Sequence, residues 1–248
     1  MIRLLADFAP ADPAAGLALE EALIESVTRG GEDSLRLWVN RRAVVIGRSQ
    51  SAAAEVDLQR ANALAIPVLR RASGGGTVYH HPGNLNVSLF LFDGRALGGV
   101  EQTFVRLGEG LAGRLSALGL AVRAAGNSLF IGERKVGGAA QARRRTSLLY
   151  HTTLLVERDS VPMEALLLAL RPGYRPRGVA SHPRPVTAIA EEARRRVDGR
   201  AVGELAAAAI AETLRRPLRD GKADASETAR AAVLEDAKYR SDAWNLSR

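Results

Sequence analysis

The run Arg70-Arg71-Ala72-Ser73-Gly74-Gly75-Gly76-Thr77-Val78-Tyr79-His80, closed by Gly83-Asn84-Leu85-Asn86, limits the fold of this 248-residue chain more than any other stretch. Three consecutive glycines carry no Cβ and reach φ > 0 freely, so a regular helix or strand is not expected to continue through them. The same freedom lets a ligand lie directly against backbone N–H groups. A glycine triplet alone is more often a plain turn than a ligand loop. The two arginines before it, and the histidine and asparagines after it, give this one the composition of a site.

Strand-like segments flank the loop. Ile66-Pro67-Val68-Leu69 leads into it, and Leu85, Val87, Leu89 and Leu91 alternate with Asn86, Ser88 and Phe90 on the way out. Upstream, Asp12-Pro13 reads as a helix N-cap and first helical residue, with Leu19, Leu23 and Val27 on one face and Gly30-Gly31 as the stop. Residues 34–40 and 44–46 read as two strands joined in a hairpin, and 55–65 as a helix. Residues 101–118 carry apolar side chains at steps of three and four, an amphipathic helix. A second polar and glycine-rich cluster covers 127–141, with a strand through Leu129 and Ile131, a turn at Gly132-Glu133, and a returning strand from Lys135. A basic turn at 143–145 precedes a strand over 148–156. Beyond it the pattern turns helical at 161–170, 187–196 and 202–215, around a proline- and arginine-rich loop of 171–185 expected to act as a mobile cover. Residues 217–225 read as a polar linker. The expected organisation is one domain over 1–216 and a helical extension over 217–248 packed on it.

Composition sets further bounds. Cysteine is absent, which excludes disulfides, thiolate metal sites and any thioester-forming nucleophile. No stretch approaches the ~18 uninterrupted apolar residues of a membrane helix, and residues 1–7 do not start a signal peptide, so a cytoplasmic protein with no membrane partner is expected. The net charge of +8 comes mostly from arginine. It suits nucleic acid, an acidic protein or a nucleotide equally, and it also fits a GC-rich genome, so nucleic acid is not the expected partner.

The two glycine-rich clusters together call for an anionic ligand. Backbone N–H groups at Gly74 to Gly76, the Arg71 cation and the Lys135 ammonium can jointly neutralise phosphate or carboxylate oxygens, each charge-assisted bond contributing about 1.5–3 kcal/mol. Neither cluster is a P-loop or a dinucleotide fingerprint. His80, His81 and His151 lack neighbouring carboxylates, so no metal site is expected. Ser73 is not in the Gly-x-Ser-x-Gly setting of a hydrolase nucleophile. The arginines at 143–145 and 194–196 read as solvated surface or as docking points for an acidic partner.

Both clusters, with His151-Thr152-Thr153-Leu154, resemble the catalytic domain of lipoate-protein ligases, in the biotin/lipoate ligase and octanoyltransferase superfamily. Leu17-Ala18-Leu19-Glu20-Glu21-Ala22, Val45-Ile46-Gly47-Arg48-Ser49-Gln50 and the segment 239–246 are similar to that family too. The resemblance implies an α/β (α+β) fold with a mixed, largely antiparallel sheet flanked by helices, related to class II aminoacyl-tRNA synthetases. It implies ATP, Mg2+ and lipoate as reactants, a lipoyl-adenylate intermediate, and transfer to a lysine of a lipoyl carrier domain. That carrier would be a 2-oxoacid dehydrogenase acyltransferase subunit, the glycine-cleavage H protein or a related protein. Larger ligases carry an accessory domain, so a separate accessory polypeptide is an expected partner. Lys135 would be catalytic and would also contact the nucleotide with Arg71, Gly76, Thr77, Val78, Tyr79 and Asn84. Ser73, Gly74, Gly75, His80, Gly138 and His151 would hold the acyl substrate or support its loop. The sequence departs from the family at His81 (usually acidic), Gly137 (commonly serine) and Thr152 (frequently glycine). Acyl transfer through a cysteine is excluded by composition, and the glycine loop does not look like that of biotin ligases. A cysteine-independent transferase and a non-catalytic binding module are the remaining alternatives.

Overall fold

The computed structural model describes residues 1–247. The chain begins with β1 (Ile2–Ala11), α1 (Pro13–Thr28), β2 (Ser34–Asn40), β3 (Ala43–Ile46), α2 (Ala52–Glu55) and α3 (Leu58–Ala63). Short strands β4 (Val68–Arg70) and β5 (Val78–His80) bracket the glycine loop, and β6 (Asn84–Leu91) leaves it. Then come α4 (Val100–Leu115), β7 (Val122–Ala125), β8 (Ser128–Ile131), β9 (Arg134–Arg144) and β10 (Ser147–Leu155). The chain finishes with α5 (Ile189–Ala193), α6 (Gly199–Leu214), β11 (Leu218–Asp220), α7 (Ala225–Leu234) and α8 (Asp242–Asn245).

Eight strands form one sheet in the order β11-β1-β2-β6-β10-β9-β8-β7, and β4-β3-β5 form a second, small one. In the large sheet β1 runs parallel to β2 and β11, and every other pairing is antiparallel. This is the mixed, largely antiparallel α/β fold that the sequence leads one to expect.

Period-two alternation along the strands decides where the core lies and where the site lies. Leu35, Leu37 and Val39 of β2, Leu85, Val87, Leu89 and Leu91 of β6, and Leu148, Tyr150 and Leu154 of β10 share one face. They pack against Leu107, Leu111 and Leu115 of α4 and Val202, Ala206 and Ile210 of α6. The intervening residues fall on the other face in two rows set by the register. One row is Trp38–Asn86–Thr153–Gly138 and the next is Arg36–Ser88–His151–Ala140. This second face is polar and small, and α1 lies on it: Leu17 and Ala18 pack with Trp38, and Leu23, Ile24 and Val27 with Phe90 and Leu149. Asp12 starts α1 as expected, its carboxylate accepting from the Ala14 and Ala15 amides ahead of Pro13.

Several local expectations fail for identifiable reasons. β2 and β3 do not form a hairpin: β2 joins the large sheet, while β3 pairs with β4 and β5 in the small one. The helix expected over 55–65 breaks at Val56-Asp57, where the Asp57 carboxylate caps α3 through the Arg60 amide. The apolar residues of 161–170 form no α-helix. They make two single 3-10 turns that bury Leu166 and Leu167 against Val44, Ile46 and Tyr79. The expected helix over 187–196 shortens to α5. The segment expected as a linker supplies β11, which adds to the edge of the large sheet beside β1. β1 itself shows no clean alternation, because its register with β2 shifts between Asp7 and Ala11. Among the described residues no helix is long and apolar enough to cross a membrane.

Candidate active site

The polar face of the sheet, α1 and the glycine loop enclose a cavity of about 380 Å³. A smaller one of about 120 Å³ adjoins it beneath Met163, Leu167 and Leu170. The two share Thr77, Val78, Lys135, Gly138, Thr153, Ser181, His182 and Arg184. Lys135 therefore stands at the junction of two spaces, one polar-floored and one largely apolar.

Lys135 is aimed by a bulge. Leu129 and Phe130 of β8 are adjacent, but their partners Gly137 and Lys135 are two residues apart, so β9 is kinked beside the lysine. Its backbone is held from the other side as well, the amide donating to Pro185 O at 2.7 Å and the carbonyl accepting from Thr187 N at 2.9 Å. The side chain runs over Gly138, where a Cβ would come within 2.7 Å of Nζ. A side chain there would push the ammonium aside. Burial lowers the Lys135 pKa, with Arg184 adding to the effect. Among the described residues the ammonium has neither a hydrogen bond nor an ion pair, so it is a partly desolvated cation open to an anion.

The glycine loop is shaped by Arg71. Its Nε donates to Ser73 Oγ (3.0 Å), Nη1 to Val45 O (3.2 Å), and Nη2 to Gly74 O (2.5 Å) and Gly76 O (2.8 Å). Read from sequence as a nucleotide ligand, Arg71 spends its donors on the loop, although it also lines the larger cavity. Gly75 adopts φ 85°, a left-handed conformation that suits glycine. Among the described residues no hydrogen bond uses the backbone N–H groups of Gly74, Gly75 or Gly76. Three successive free amides of this kind can serve an anionic ligand.

At the other end of the larger cavity a hydrogen-bonded chain crosses its floor. Ser73 Oγ lies 2.7 Å from His151 Nε2, and His151 Nδ1 lies 2.9 Å from Glu20 Oε1. Ser88 Oγ donates to the same Glu20 oxygen at 2.6 Å and accepts from Trp38 Nε1 at 3.0 Å. Burial pushes the Glu20 carboxyl up, but His151, Ser88 and Arg36 outweigh it and hold the pKa at about 2. Glu20 is thus a buried carboxylate. Ser73 itself is buried and lines neither cavity; it touches the larger one through His151.

The remaining expected residues divide into two sets. Gly76, Thr77, Val78, His80, Gly138 and His151 line the larger cavity, while Tyr79 and Asn84 line the smaller one. Gly74 and Gly75 line neither. Tyr79 commits its hydroxyl to Asp159 (2.6 Å), and Asn84 its amide to Asn86 (3.2 Å). His80 is buried beside Asn40, and burial drives its pKa down to about 3. Among the described residues no group of three or more histidines or carboxylates could hold a metal ion.

Sequence reading missed Glu20 as a site residue, and with it Glu55 and Ser181. Glu20 carried a usable signal, a carboxylate placed among Leu17, Leu23 and Ile24 on an otherwise apolar helix. Glu55 is fully buried and accepts from the Tyr174 hydroxyl and from Ser181 Oγ (2.6 Å). Ser181 Oγ in turn accepts from Thr77 N at 2.9 Å and Gln50 Nε2 at 3.1 Å. The segment expected as a cover is thereby tied to the glycine loop through side chains more than a hundred residues away in sequence.

The buried groups predict an acid-sensitive fold. His80 has a folded pKa below its unfolded value near 6.5, so its contribution is fully present above pH 6.5 and falls as pH drops toward 3. Glu20 adds stability above 4.5 that is lost as pH falls toward 2. Unfolding free energy is expected to be flat from pH 7 to 8 and to fall below pH 6.5, by up to ~1.4 kcal/mol per proton and pH unit, with the melting temperature following it. A His80→Asn variant should make that fall shallower, leaving the part due to His81, whose pKa burial also lowers. An unchanged profile in the variant would assign the acid limb to other groups.

Residues 12–211 match the family described as the lipoyl protein ligase A/B catalytic domain. A lipoate-protein ligase A homologue of Aeropyrum pernix is 37% identical over 63% of this chain and 58% of its own length. The chain thus spans little more than half of that relative. Lipoate-protein ligase A subunit 1 of Thermoplasma acidophilum is 30% identical over 98% of this chain and 96% of its own. An octanoyltransferase of Symbiobacterium thermophilum is 30% identical over 94% and 93%. Among solved structures, a T. acidophilum protein described as a lipoate protein ligase, with bound lipoic acid, superposes with TM-score 0.84 at 29% identity, covering 99% of both chains. A lipoate-protein ligase A bound with ATP gives 0.85 at 28%, covering 99% of this chain and 98% of the other. A bipartite T. acidophilum ligase described with its E2 lipoyl domain gives 0.84 at 29%, covering 99% and 96%. With residues 12–211 matched, a relative 30% identical over nearly its whole length and the fold shared, the chain belongs to the lipoyl protein ligase A/B catalytic domain family.

Proposed function

We propose that the protein is an ATP-dependent lipoate-protein ligase, which joins lipoate or octanoate to AMP and then passes the acyl group to a lysine of a lipoyl carrier domain. The observation that carries this reading is the position of Lys135, an unpartnered ammonium at the meeting point of two cavities. A two-substrate reaction between two anions needs a cation at that point.

In the first step a carboxylate oxygen of the acid attacks the α-phosphorus of ATP, the P–O bond to the β-phosphate breaks, and pyrophosphate leaves. Lys135 faces both the carboxylate and the α-phosphate, and offsets the charge that develops between them. Its lowered pKa is restored by these anions, so it binds as the cation. Of the free loop amides, that of Gly76, which lines the larger cavity, is offered to ligand oxygens, and Gly138 keeps the lysine path open. In the second step the neutral amine of the acceptor lysine attacks the acyl carbon. The C–O bond to AMP breaks, and AMP leaves against Lys135. The tail of the acid is assigned to the larger cavity, toward Trp38 and His151, and the nucleotide to the side of Lys135 that opens on the smaller, apolar one. Glu20 is the only carboxylate that lines either cavity among the described residues, and it is held by His151 and Ser88. The protein therefore offers Mg2+ no free oxygen cage of its own, and the ion is read as arriving on the nucleotide phosphates. The match to a ligase subunit supports a separate accessory polypeptide as a partner.

The test is modification of a lipoyl domain, with pyrophosphate release measured for lipoate, octanoate and biotin. Lipoate or octanoate with ATP should give both products, and biotin neither. Absence of pyrophosphate with every acid, with candidate partner chains present, rules the proposal out. Association with an acidic carrier should weaken at high salt, roughly tenfold between 50 and 200 mM, because the chain carries +8.

One observation favours a second reading. Ser73, His151 and Glu20 form a hydroxyl–imidazole–carboxylate chain, which would suit acyl transfer through serine in a chain without cysteine. Burial of Ser73 behind His151 argues against it. Ser73→Ala is expected to keep activity within about tenfold of wild type, since triad nucleophiles lose ~10⁶ on removal. A loss of that size would favour the serine route.

A further inference from the structure

The geometry points to the segment 239–246 as a positioning element for the glycine loop, acting through Arg70 although it touches neither cavity. β4 lies at the edge of the small sheet, and its outer side is covered by this segment. The Arg70 amide donates to Asn245 Oδ1 at 3.0 Å, and the Arg70 carbonyl accepts from Trp244 Nε1 at 2.8 Å. The Arg70 side chain continues the connection, Nε donating to Trp244 O at 3.0 Å and Nη2 to Asn245 O at 3.2 Å. These contacts join residues about 175 positions apart.

Arg70 passes the connection on. Its Nη1 donates to the carbonyls of Gly47 (3.2 Å), Arg48 (3.0 Å) and Gln50 (2.7 Å), fixing the turn that follows β3. That turn holds the glycine loop, since Arg48 N donates to Ser73 O at 2.8 Å and Thr77 Oγ1 donates to Gln50 Oε1 at 3.0 Å. Gln50 also donates to Val179 O and Ser181 Oγ in the segment over the cavity. The far end of the connection is rigid. Asn245 donates to Tyr239 O, Tyr239 donates to Glu21 of α1 at 2.6 Å, and Lys238 lies 4.0 Å over the Trp244 ring while bonding Glu21. Adjacent arginines thus divide the work. Arg71 gives the loop its shape, and Arg70 fixes its place on the domain. A loop whose free amides meet a ligand needs both, because misplacing donors weakens every contact they make.

The test uses the full chain carrying Arg70→Lys, Trp244→Phe or the pair Trp244→Ala with Asn245→Ala. Lysine keeps the charge and loses the fork, and Trp244→Phe keeps the ring and loses the one N–H to Arg70 O. Hydrogen exchange of the unliganded protein is read at the bonded amides around the loop, Arg48, Gln50, Arg71 and Thr77, and, as internal reference, in β6 and β10. The double variant is expected to speed exchange at these four amides at least tenfold, and each single variant roughly threefold, with the reference strands unchanged. Under the ligase reading, KM for ATP should rise about tenfold in the double variant with kcat within about threefold. Unchanged exchange at the four amides, or an equal rise in β6 and β10, overturns the inference. So does an unchanged KM in an active enzyme. The exchange measurement needs no substrate, so failure of the ligase reading leaves it decisive.

Discussion

Replacing Lys135 by alanine is expected to lower the rate of acyl-adenylate formation by about 10²–10³-fold, the usual loss when one preorganised charge is removed from a developing anion. Three features of the structure set that size. The ammonium has no protein partner to share its charge among the described residues, it is partly desolvated, and it stands where the two cavities meet. Stability should move the other way. Removing a buried cation that lacks a partner relieves a desolvation penalty, so the variant is expected to melt at or slightly above the wild-type temperature. Lys135→Arg should not rescue. The guanidinium is a wide planar fork and the ammonium a compact point charge, so the arginine would not set its charge at the same point. Single-turnover adenylation rates with a parallel thermal melt check both halves. A variant that keeps full rate removes the lysine from the chemistry.

The second large effect is expected at Gly47, which lies outside both cavities. A Cβ there would stand 2.0 Å from the carbonyl oxygen of Gly75 and 3.1 Å from its carbon. Both are backbone atoms, so no side chain can swing aside. The glycine loop must move by about 1 Å, and a shift of that size in a positioning element costs on the order of 10²-fold in rate. The strain is also expected to cost ~1–3 kcal/mol of stability, as overpacking does elsewhere. Gly74→Ala is the matched control, because nothing lies within 4 Å of its Cβ and its φ is not positive. It should stay within a few-fold of wild type. Equal effects at the two positions would mean that loop placement does not govern the site.

Much of this was legible in the sequence, and the divisions are physical. Strand β6 was readable because a period-two pattern has one solution once one face must be buried, and β10 as an apolar run around His151-Thr152-Thr153. The alternation of β6 placed Asn86 and Ser88 on the opposite face without any knowledge of a ligand. α1 and α4 were readable from caps and spacing. The 161–170 segment was not, because its apolar residues serve a local cluster around Tyr79 in a form with no period of its own. β1 and β11 were hidden for a related reason. They are held by parallel pairing across two hundred residues, which leaves no local trace. At the site, Lys135 and the glycine loop stood out as unusual residue combinations. The work of Arg71 did not, since a sequence cannot distinguish an arginine that binds a ligand from one that builds the loop. Glu20, Glu55 and Ser181 belong to networks whose partners are far apart in the chain, and only the assembled sheet brings them together.

The most direct measurement is mass-spectrometric detection of the enzyme-bound intermediate after mixing the protein with ATP, Mg2+ and lipoate in the absence of any acceptor. Lipoyl-AMP should accumulate to about one equivalent per active site in the wild type, and about 10²–10³-fold more slowly in Lys135→Ala. Lipoylation of a carrier domain without ATP, or with ATP but no detectable lipoyl-AMP and no pyrophosphate, would contradict the account and point to direct acyl transfer.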